Sequence, residues 1–195
     1  MGHITIHNIE QGSPEWNELR ANLYTGSNAD KLLAYSTSLK IINGITSSYA
    51  ITEITGFGGN FHTKRGHILE DEAIELYMSI TGHKVSRPGF VTNDEYPQCG
   101  FSPDGHDDDM ELPLEVKAFE EIKHMKMFNG DIPMKVLAQN HFGQFIWEKR
   151  GSRLLIYNPD LENPKEAFKI IDIPYNRNIQ NNFKRILRKE PVHAI

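Results

Sequence analysis

Two short segments near the middle of the chain, residues 101–105 and 114–118, constrain its fold most strongly. The second segment reads Leu-Glu-Val-Lys-Ala, and successive side chains of a β-strand point to opposite faces of the sheet. Glu115 and Lys117 therefore share one face, while the three apolar residues share the other and can be buried against a layer of helices. This pattern predicts a strand with a charged pair on one face, which suits a metal site at the edge of a sheet.

The first segment adds a second acid, Asp104, to the same place. Carboxylate oxygens are the ligands that Mg²⁺ prefers in proteins. A bound cation can activate a water molecule and neutralise charge on a phosphodiester, and Lys117 could orient that water or stabilise the transition state. A structural interpretation stays open as well. Residues 102–105 are ordinary turn residues, and Glu115 with Lys117 can form an exposed ion pair.

Length, composition and charge exclude several classes of protein. A chain of 195 residues is long enough for one domain with a full core, and we expect residues 1–195 to form a single domain. We find no apolar run that could span a bilayer and no signal-peptide pattern. Cys99 is the only cysteine, which excludes an intramolecular disulfide and a cysteine-based zinc site. We therefore expect no membrane partner and a cytoplasmic location.

The net charge of −5 argues against a protein that simply coats nucleic acid, because such proteins are normally basic. A nuclease remains compatible with this charge, because its acids can be local and its basic residues clustered.

The N-terminal region contains a candidate phosphate site. Ser13 followed by proline predicts the start of a helix, and Arg20 lies beside the apolar stripe of that helix. Ser27 precedes a short helical run over residues 29–34, and a helix N-terminus offers free N–H groups to a phosphate. A capping serine and a surface arginine explain the same residues, and this simpler interpretation is favoured by the residues alone.

Residues 63–82 have the clearest helical pattern of the chain. Glu70 is spaced with Ile74 and Tyr77 as i, i+4 and i+7, which turns its carboxylate towards the core side of the helix. Burial of an unpaired charge is costly, so we expect Glu70 to have either a salt-bridge partner or a metal.

The remaining patterns alternate between strands and helices, which predicts an α/β fold with one central mixed sheet flanked by helices. Helix 133–150 carries two polar residues that interrupt its apolar pattern, Gln139 and Gln144. Further helices are predicted over residues 47–54, 119–128 and 176–189, and strands over residues 84–86, 89–92, 99–102, 153–157 and 167–173.

Six short motifs occur in an order that resembles the λ-exonuclease (YqaJ-like viral recombinase) family of the PD-(D/E)xK nuclease superfamily. The resemblance covers about residues 10–159 and implies a core like that of the restriction endonucleases. Its motifs are Trp16-x-x-Leu19-Arg20, Thr25-Gly26-Ser27, Gly66-x-x-x-Glu70, Ser102-Pro103-Asp104-Gly105, Glu115-Val116-Lys117 and Ala138-Gln139.

The resemblance implies a Mg²⁺-dependent exonuclease that degrades one strand of duplex DNA in the 5′→3′ direction. The product would be a 3′-tailed duplex for phage-type single-strand annealing recombination. Asp104, Glu115 and the Val116 carbonyl would bind metal, with Glu70 completing the acidic cluster. We expect two Mg²⁺ ions per site, for which Mn²⁺ would substitute. Lys117 would be the catalytic lysine, and Gln139 would help to place the water or the scissile phosphate.

The resemblance also implies a binding pocket for the 5′-phosphate and a set of partners. Arg20, Ser27 and Ser102 match the positions of that pocket. Family members form ring-shaped homotrimers around DNA and act beside a single-strand annealing protein in the cytoplasm of the host cell. Such a ring would turn basic residues towards the DNA and acids outwards.

The chain departs from the family pattern at three places. His141 replaces the second glutamine of the family's Gln-x-Gln, so that Gln144 offers another alignment of this helix. Gly26 replaces an alanine, and residues after Pro159 show little match. Two alternatives stay open: a restriction- or nicking-type endonuclease of the same superfamily, and a non-catalytic module that binds DNA ends. A member with a four-cysteine iron–sulfur cluster is excluded by the single cysteine.

Overall fold

The computed structural model describes residues 2–34 and 61–188, which form eight strands and six α-helices. The helix predicted over residues 47–54 lies outside the described residues. In chain order the elements are β1 (Ile4–His7), α1 (Pro14–Arg20), a 3₁₀ turn (Gly26–Asn28), α2 (Ala29–Ala34), α3 (Phe61–Thr81), β2 (Val85–Ser86), β3 (Phe90–Asn93), β4 (Gly100–Phe101), β5 (Gly105–Asp107), β6 (Leu112–Lys117), α4 (Glu121–Phe128), α5 (Met134–Ile146), β7 (Gly151–Tyr157), β8 (Phe168–Pro174) and α6 (Arg177–Leu187).

The larger sheet has five strands in the order β2-β5-β6-β7-β8. Strands β6 and β7 are parallel and the other pairs are antiparallel, with α4 and α5 between the two parallel strands in sequence. The predicted mixed sheet flanked by helices is therefore confirmed. The expected position of the charged pair at the sheet edge is wrong, because β6 pairs on both sides and is the central strand.

The smaller sheet joins β1, β3 and β4 in antiparallel pairs and was not predicted as a separate layer. Its last strand, β4, ends at Phe101, and the next strand of the chain, β5, belongs to the larger sheet. Residues 102–104 therefore connect the two sheets, which places Ser102 and Asp104 at their junction.

The two faces of β6 and β7 pack against different helices. Leu114 and Val116 are buried with Ala73 and Ile74 of α3, so the apolar face predicted for this strand meets a helix as expected. On the other face, the residues of β7 in register with Glu115 and Lys117 are buried with side chains of α4 and α5. The members of this second cluster are Met127, Val136, Leu154, Ile156 and Ile173.

A buried acid on β5 fixes helix α3 against the sheet. The Asp107 side chain is fully buried and accepts hydrogen bonds from the Tyr77 hydroxyl and from His83 Nδ1, the latter at 2.7 Å. Burial alone would raise the pKa of Asp107, but these two hydrogen bonds and a third from the Met110 amide help to outweigh it, so that the pKa is lowered. Because Tyr77, Ile74 and Glu70 share one side of α3, this anchor also sets the direction in which Glu70 points.

Helix α5 ends at Ile146, earlier than the predicted residue 150. The reason is local, since Glu148 adopts a left-handed backbone with a φ of 53° and the Lys149 amide donates to the Gln144 carbonyl at 2.9 Å. In the described part of the chain, no helix has both the length and the apolar character that crossing a membrane requires.

The Phe101 ring is held between two glycines. A Cβ atom added to Gly143 of α5 would lie 2.5 Å from the ring, and one added to Gly26 would lie 3.4 Å from it. Because neither glycine carries a side chain, α5 and the 3₁₀ turn can both approach Phe101, which directly precedes Ser102.

We expect Gly143→Ala to lower the free energy of unfolding by about 1–3 kcal/mol, because overpacking a close contact forces the surrounding groups apart. Urea unfolding followed by circular dichroism measures this change. Gly66→Ala in α3 is the matched control. An added Cβ there meets no atom of the described chain within 4 Å, and the higher helix propensity of alanine should stabilise the protein by up to about 1 kcal/mol. Equal stabilities of the two variants would contradict the packing argument.

Candidate active site

The centre of the site is a buried carboxylate on β6. Glu115 is 2% exposed, and Lys117 Nζ donates a hydrogen bond to its Oε1 atom. Its other oxygen, Oε2, is buried and has no hydrogen-bond partner within residues 2–34 and 61–188. Desolvating a charged oxygen without a partner costs free energy, so this atom has a strong tendency to bind a cation or a proton.

Asp104 is fixed beside Glu115 by the backbone of β6. Its Oδ2 atom accepts a hydrogen bond of 2.7 Å from the Val116 amide, and its own amide donates to the Leu114 carbonyl at 3.2 Å. The residue is thus attached to β6 on both sides of Glu115. The structure brings together Asp104, Glu115 and Lys117, which the sequence placed in one site.

Burial and repulsion from neighbouring acids both disfavour the ionised carboxylates of this group. Burial raises the pKa of Asp104 well above its usual range, and the nearby Glu115 raises it further. Burial also raises the pKa of Glu115, although Lys117 opposes the shift. Burial alone would lower the pKa of Lys117, but Glu115 and Asp104 together raise it. An additional positive charge would stabilise both ionised carboxylates.

Glu70 lies next to this group without joining it. Its side chain is 29% exposed and its Oε2 atom lies 3.1 Å from His67 Nδ1. The negative charge of Glu70 nevertheless contributes to the raised pKa of Asp104 and of Glu115. Among the side chains that the structure describes, no three His, Cys, Asp or Glu residues converge closely enough to form a metal site by themselves.

A cleft of about 380 Å³ opens at Asp104 and Glu70. Four acids line it, which makes the cleft suited to a cation. These acids are Glu10, Glu70, Asp71 and Asp104, and the lining also includes Gln11, His67, Arg87 and Gly89.

A second polar cluster contacts Gly89, which also lines the cleft. Arg20 NH1 donates to Ser102 Oγ at 3.2 Å and its guanidinium lies over the Trp16 ring, 3.9 Å from the ring centroid. Trp16 Nε1 donates to Ser102 Oγ at 3.0 Å and to the Gly89 carbonyl at 3.2 Å. Burial lowers the pKa of Arg20, but arginine stays charged in proteins. The cluster thus combines the partly buried positive charge of Arg20 with two donors, Arg20 and Trp16, to the Ser102 hydroxyl.

Ser27 and Gln139 lie together at the 3₁₀ turn. Ser27 Oγ is 3.0 Å from Thr25 Oγ1, and a Cβ atom added to Gly26 would lie 3.2 Å from Gln139 Cγ. The structure therefore brings Gln139 to the turn that carries Ser27. It gives no hydrogen bond between Ser27 and Ser102 in the described residues.

The alternative glutamine of α5 has a different environment. Gln144 is 1% exposed and its Nε2 atom donates to Ser152 Oγ and to the Ile173 carbonyl, both at 2.9 Å. These partners belong to β7 and β8, so Gln144 holds the helix on the sheet. Gln139 therefore stays the predicted glutamine of the site.

Sequence reasoning missed two residues that hold the turn of Asp104. Gln11 Nε2 donates to the Pro103 carbonyl at 2.7 Å, and Arg87 NH1 donates to the Asp104 carbonyl at 2.8 Å. The sequence named Trp16 only as part of a family motif, whereas its indole N–H donates to Ser102 Oγ. Bonds to main-chain oxygens leave no pattern in a single sequence, so no local signal could have revealed Gln11 or Arg87.

A comparison with protein families finds a match over residues 15–142 to the YqaJ-like viral recombinase domain. The chain belongs to this family. The matched residues include each of the nine candidate positions, from Arg20 to Gln139. No curated protein sequence matches the chain.

Solved structures show that the chain shares its fold with an alkaline exonuclease and with a phage-related exonuclease. An alkaline exonuclease (LHK-Exo) from Laribacter hongkongensis aligns with a TM-score of 0.68 at 18% identity, covering 91% of this chain and 92% of that one. The same protein in complex with dAMP gives a TM-score of 0.73 at 18% identity, with 90% and 89% covered. A phage-related exonuclease from Haemophilus somnus 129PT gives 0.53 at 13% identity, with 92% and 85% covered.

The buried pair can be tested through stability. Lys117→Met should lower the free energy of unfolding by about 3 kcal/mol in EDTA, because it leaves the buried Glu115 charge without its partner. The double variant Glu115→Gln with Lys117→Met removes both charges and should recover much of this loss. Urea unfolding of four proteins measures the effect: the unaltered chain, the two single variants and the double variant. If Glu115→Gln changed the free energy of unfolding equally in the unaltered chain and in the Lys117→Met variant, the two side chains would not be coupled.

Proposed function

We propose that this chain is a metal-dependent deoxyribonuclease, specifically a 5′→3′ exonuclease on double-stranded DNA. Its product would be a duplex with a 3′ single-stranded tail for phage-type single-strand annealing recombination. The observation that carries the proposal is the buried Glu115 carboxylate, which has one oxygen on Lys117 and the other without a partner in the described chain, directly beside Asp104. Membership of the YqaJ-like family supports the same activity.

The residues of the site fit a divalent cation. Asp104, Glu115 and the Val116 carbonyl would hold it and Glu70 would complete the set, since all of them offer hard oxygen atoms of the kind that Mg²⁺ and Mn²⁺ bind. The unpartnered Glu115 oxygen and the excess of carboxylates in the cleft support this assignment. We propose Mg²⁺ as the ion, with two ions per site. When bound, such ions activate water and offset the charge that develops on the phosphate.

Lys117 has a role that depends on its burial. Its side chain is 20% exposed and its ammonium group is held by Glu115, so it offers a fixed positive charge in a region of low dielectric constant. A fixed charge of this kind stabilises developing negative charge more strongly than a solvated one. We assign to Lys117 the stabilisation of the transition state and the orientation of the attacking water. Gln139 would assist at the scissile phosphate from the side of the 3₁₀ turn.

The Arg20 cluster is the proposed site for the 5′-phosphate of the DNA end. The guanidinium of Arg20 and the hydroxyl of Ser102 already share a hydrogen bond, and both would donate to phosphate oxygens, as arginine does readily. Ser27 would add a third donor from the neighbouring turn. A structural relative was determined with dAMP, a nucleoside monophosphate of the type that this reaction releases.

The assembly and the partners are also proposals. A homotrimeric ring around duplex DNA would reconcile a net charge of −5 with a polyanionic substrate, because basic residues would face the channel. We propose that residues 1–195 form one exonuclease domain that acts beside a single-strand annealing protein in the cytoplasm of the host cell.

The activity is tested with a linear duplex labelled at either its 5′ or its 3′ end, beside a covalently closed circle. We expect immediate release of the 5′ label that requires Mg²⁺, with the circle left intact. Cutting of the circle would instead indicate a restriction- or nicking-type endonuclease. Binding of duplex ends without any cleavage in Mg²⁺ or Mn²⁺ would indicate a non-catalytic module.

In the same assay, Lys117→Ala should abolish cleavage and keep duplex-end binding, and loss of both together would refute its catalytic assignment.

Arg20→Ala should reduce the preference for 5′-phosphorylated over 5′-hydroxyl ends by about 10- to 150-fold, because a charge-assisted hydrogen bond to phosphate contributes about 1.5–3 kcal/mol. Competition between the two kinds of duplex end measures the preference directly. Arg188→Ala is the matched control, since Arg188 pairs with Glu95 at 2.7 Å on the surface and has no contact with Ser102. An Arg20→Ala protein that kept the full preference would show that the phosphate binds elsewhere.

A further inference from the structure

Arg87 connects two elements of the site that are far apart in sequence. It follows β2 in the loop before β3, and its guanidinium donates through NH1 to the Asp104 carbonyl at 2.8 Å and through NH2 to Asp71 Oδ1 at 2.7 Å. Asp71 is the residue after Glu70 on α3. One rigid guanidinium group therefore spans from the helix that carries Glu70 to the turn that carries Asp104.

The turn of Asp104 needs external support, because it is the short connection between the two sheets. Apart from its two bonds to β6, its consecutive carbonyls, those of Pro103 and Asp104, each accept from a side chain: Gln11 bonds the first and Arg87 bonds the second. Gln11 belongs to the segment between β1 and α1 and does not reach α3 in these contacts. Of the two, it is Arg87 that relates Asp104 to Glu70.

We propose that Arg87 is a positioning residue that sets the separation of the Asp104 and Glu70 carboxylates and thereby the affinity of the site for a divalent cation. This inference rests on the proposed metal-dependent function. The planar fork of arginine suits the task, because its donors are fixed relative to each other and can bond two acceptors at once. Lysine has a single ammonium group on a flexible stem and cannot reproduce that geometry.

The two hydrogen bonds of Arg87 differ in what they contribute. The Arg87 and Asp71 side chains are 43% and 70% exposed, and exposed pairs contribute little to stability. The bond to the Asp104 carbonyl is the part that affects the site. We therefore expect removal of Arg87 to leave the stability of the protein nearly unchanged and to weaken metal binding.

The direction of the effect distinguishes positioning from simple charge. Arg87 lines the same cleft as Asp104 and Glu70. Removing its positive charge would by itself strengthen the binding of a cation, because it removes a Coulomb repulsion. A positioning role predicts the opposite. Outer residues that orient metal ligands typically change metal affinity by about 10–100-fold.

The test is isothermal titration of the full chain with Mn²⁺ in the absence of DNA. We expect Arg87→Ala to weaken Mn²⁺ binding about tenfold and Arg87→Lys to weaken it as well, since only one of the two bonds can be kept. Arg188→Ala removes an arginine from an ion pair of the same length, 2.7 Å to Glu95, and should bind Mn²⁺ as the unaltered chain does. The urea midpoints of all variants should agree closely.

Asp104→Asn separates failure of this inference from failure of the proposed function. If Asp104→Asn lost Mn²⁺ binding while Arg87→Ala kept or strengthened it, Arg87 would have no positioning role and the metal site would stand. If Asp104→Asn bound Mn²⁺ normally, the metal site itself would be wrong. Should Arg87→Ala unfold at clearly lower urea, the Arg87→Lys protein decides, and normal affinity in that variant would overturn the proposal.

Discussion

Glu115 and Lys117 form an ion pair on the central strand of a sheet that is covered by helices on both faces. Glu115 is 2% exposed, so the free energy of its charge depends on the few groups placed around it. The lysine satisfies one of its oxygens, and Asp104 adds negative charge instead of removing it. The α4–α5 layer covers the face of the sheet that carries this pair, and α3 covers the opposite face. The turn between the sheets places Asp104 beside the pair. The low dielectric constant that makes the pair costly also makes every charge near it effective.

The junction of the two sheets explains why two different clusters lie so close together. Strand β4 belongs to the smaller sheet and β5 to the larger, and residues 102–104 pass directly from one to the other. Ser102 faces the Arg20 and Trp16 side chains, while Asp104 is bonded to β6. A cationic, donor-rich cluster and an acidic cleft are thus joined by a single short turn.

The features that could be predicted from the sequence depend on local periodicity. The alternation of residues 114–118, the start of α1 at Ser13 and the inward side of α3 at Ile74 and Tyr77 are all set by neighbours along the chain. The central position of β6 was not predictable, because strand order depends on pairing between distant segments.

The different environments of Gln139 and Gln144 could not be predicted either, because they too depend on contacts between distant segments. Helix α5 is buried around most of its circumference, so its sequence has no polar side to indicate orientation. The hydrogen bond from Arg87 to the main-chain carbonyl of Asp104 leaves no pattern in the sequence from which it could be predicted.

The shortness of the turn between the sheets has a geometric consequence for the substrate. Ser102 and Asp104 are two residues apart, so their Cα atoms are separated by at most about 7 Å. If the end phosphate binds at Ser102 and the bond is cleaved at Asp104, the short connection limits the distance between the two sites. The number of nucleotides removed in each step would then be limited by the length of this connection in the protein, whatever the base sequence of the DNA.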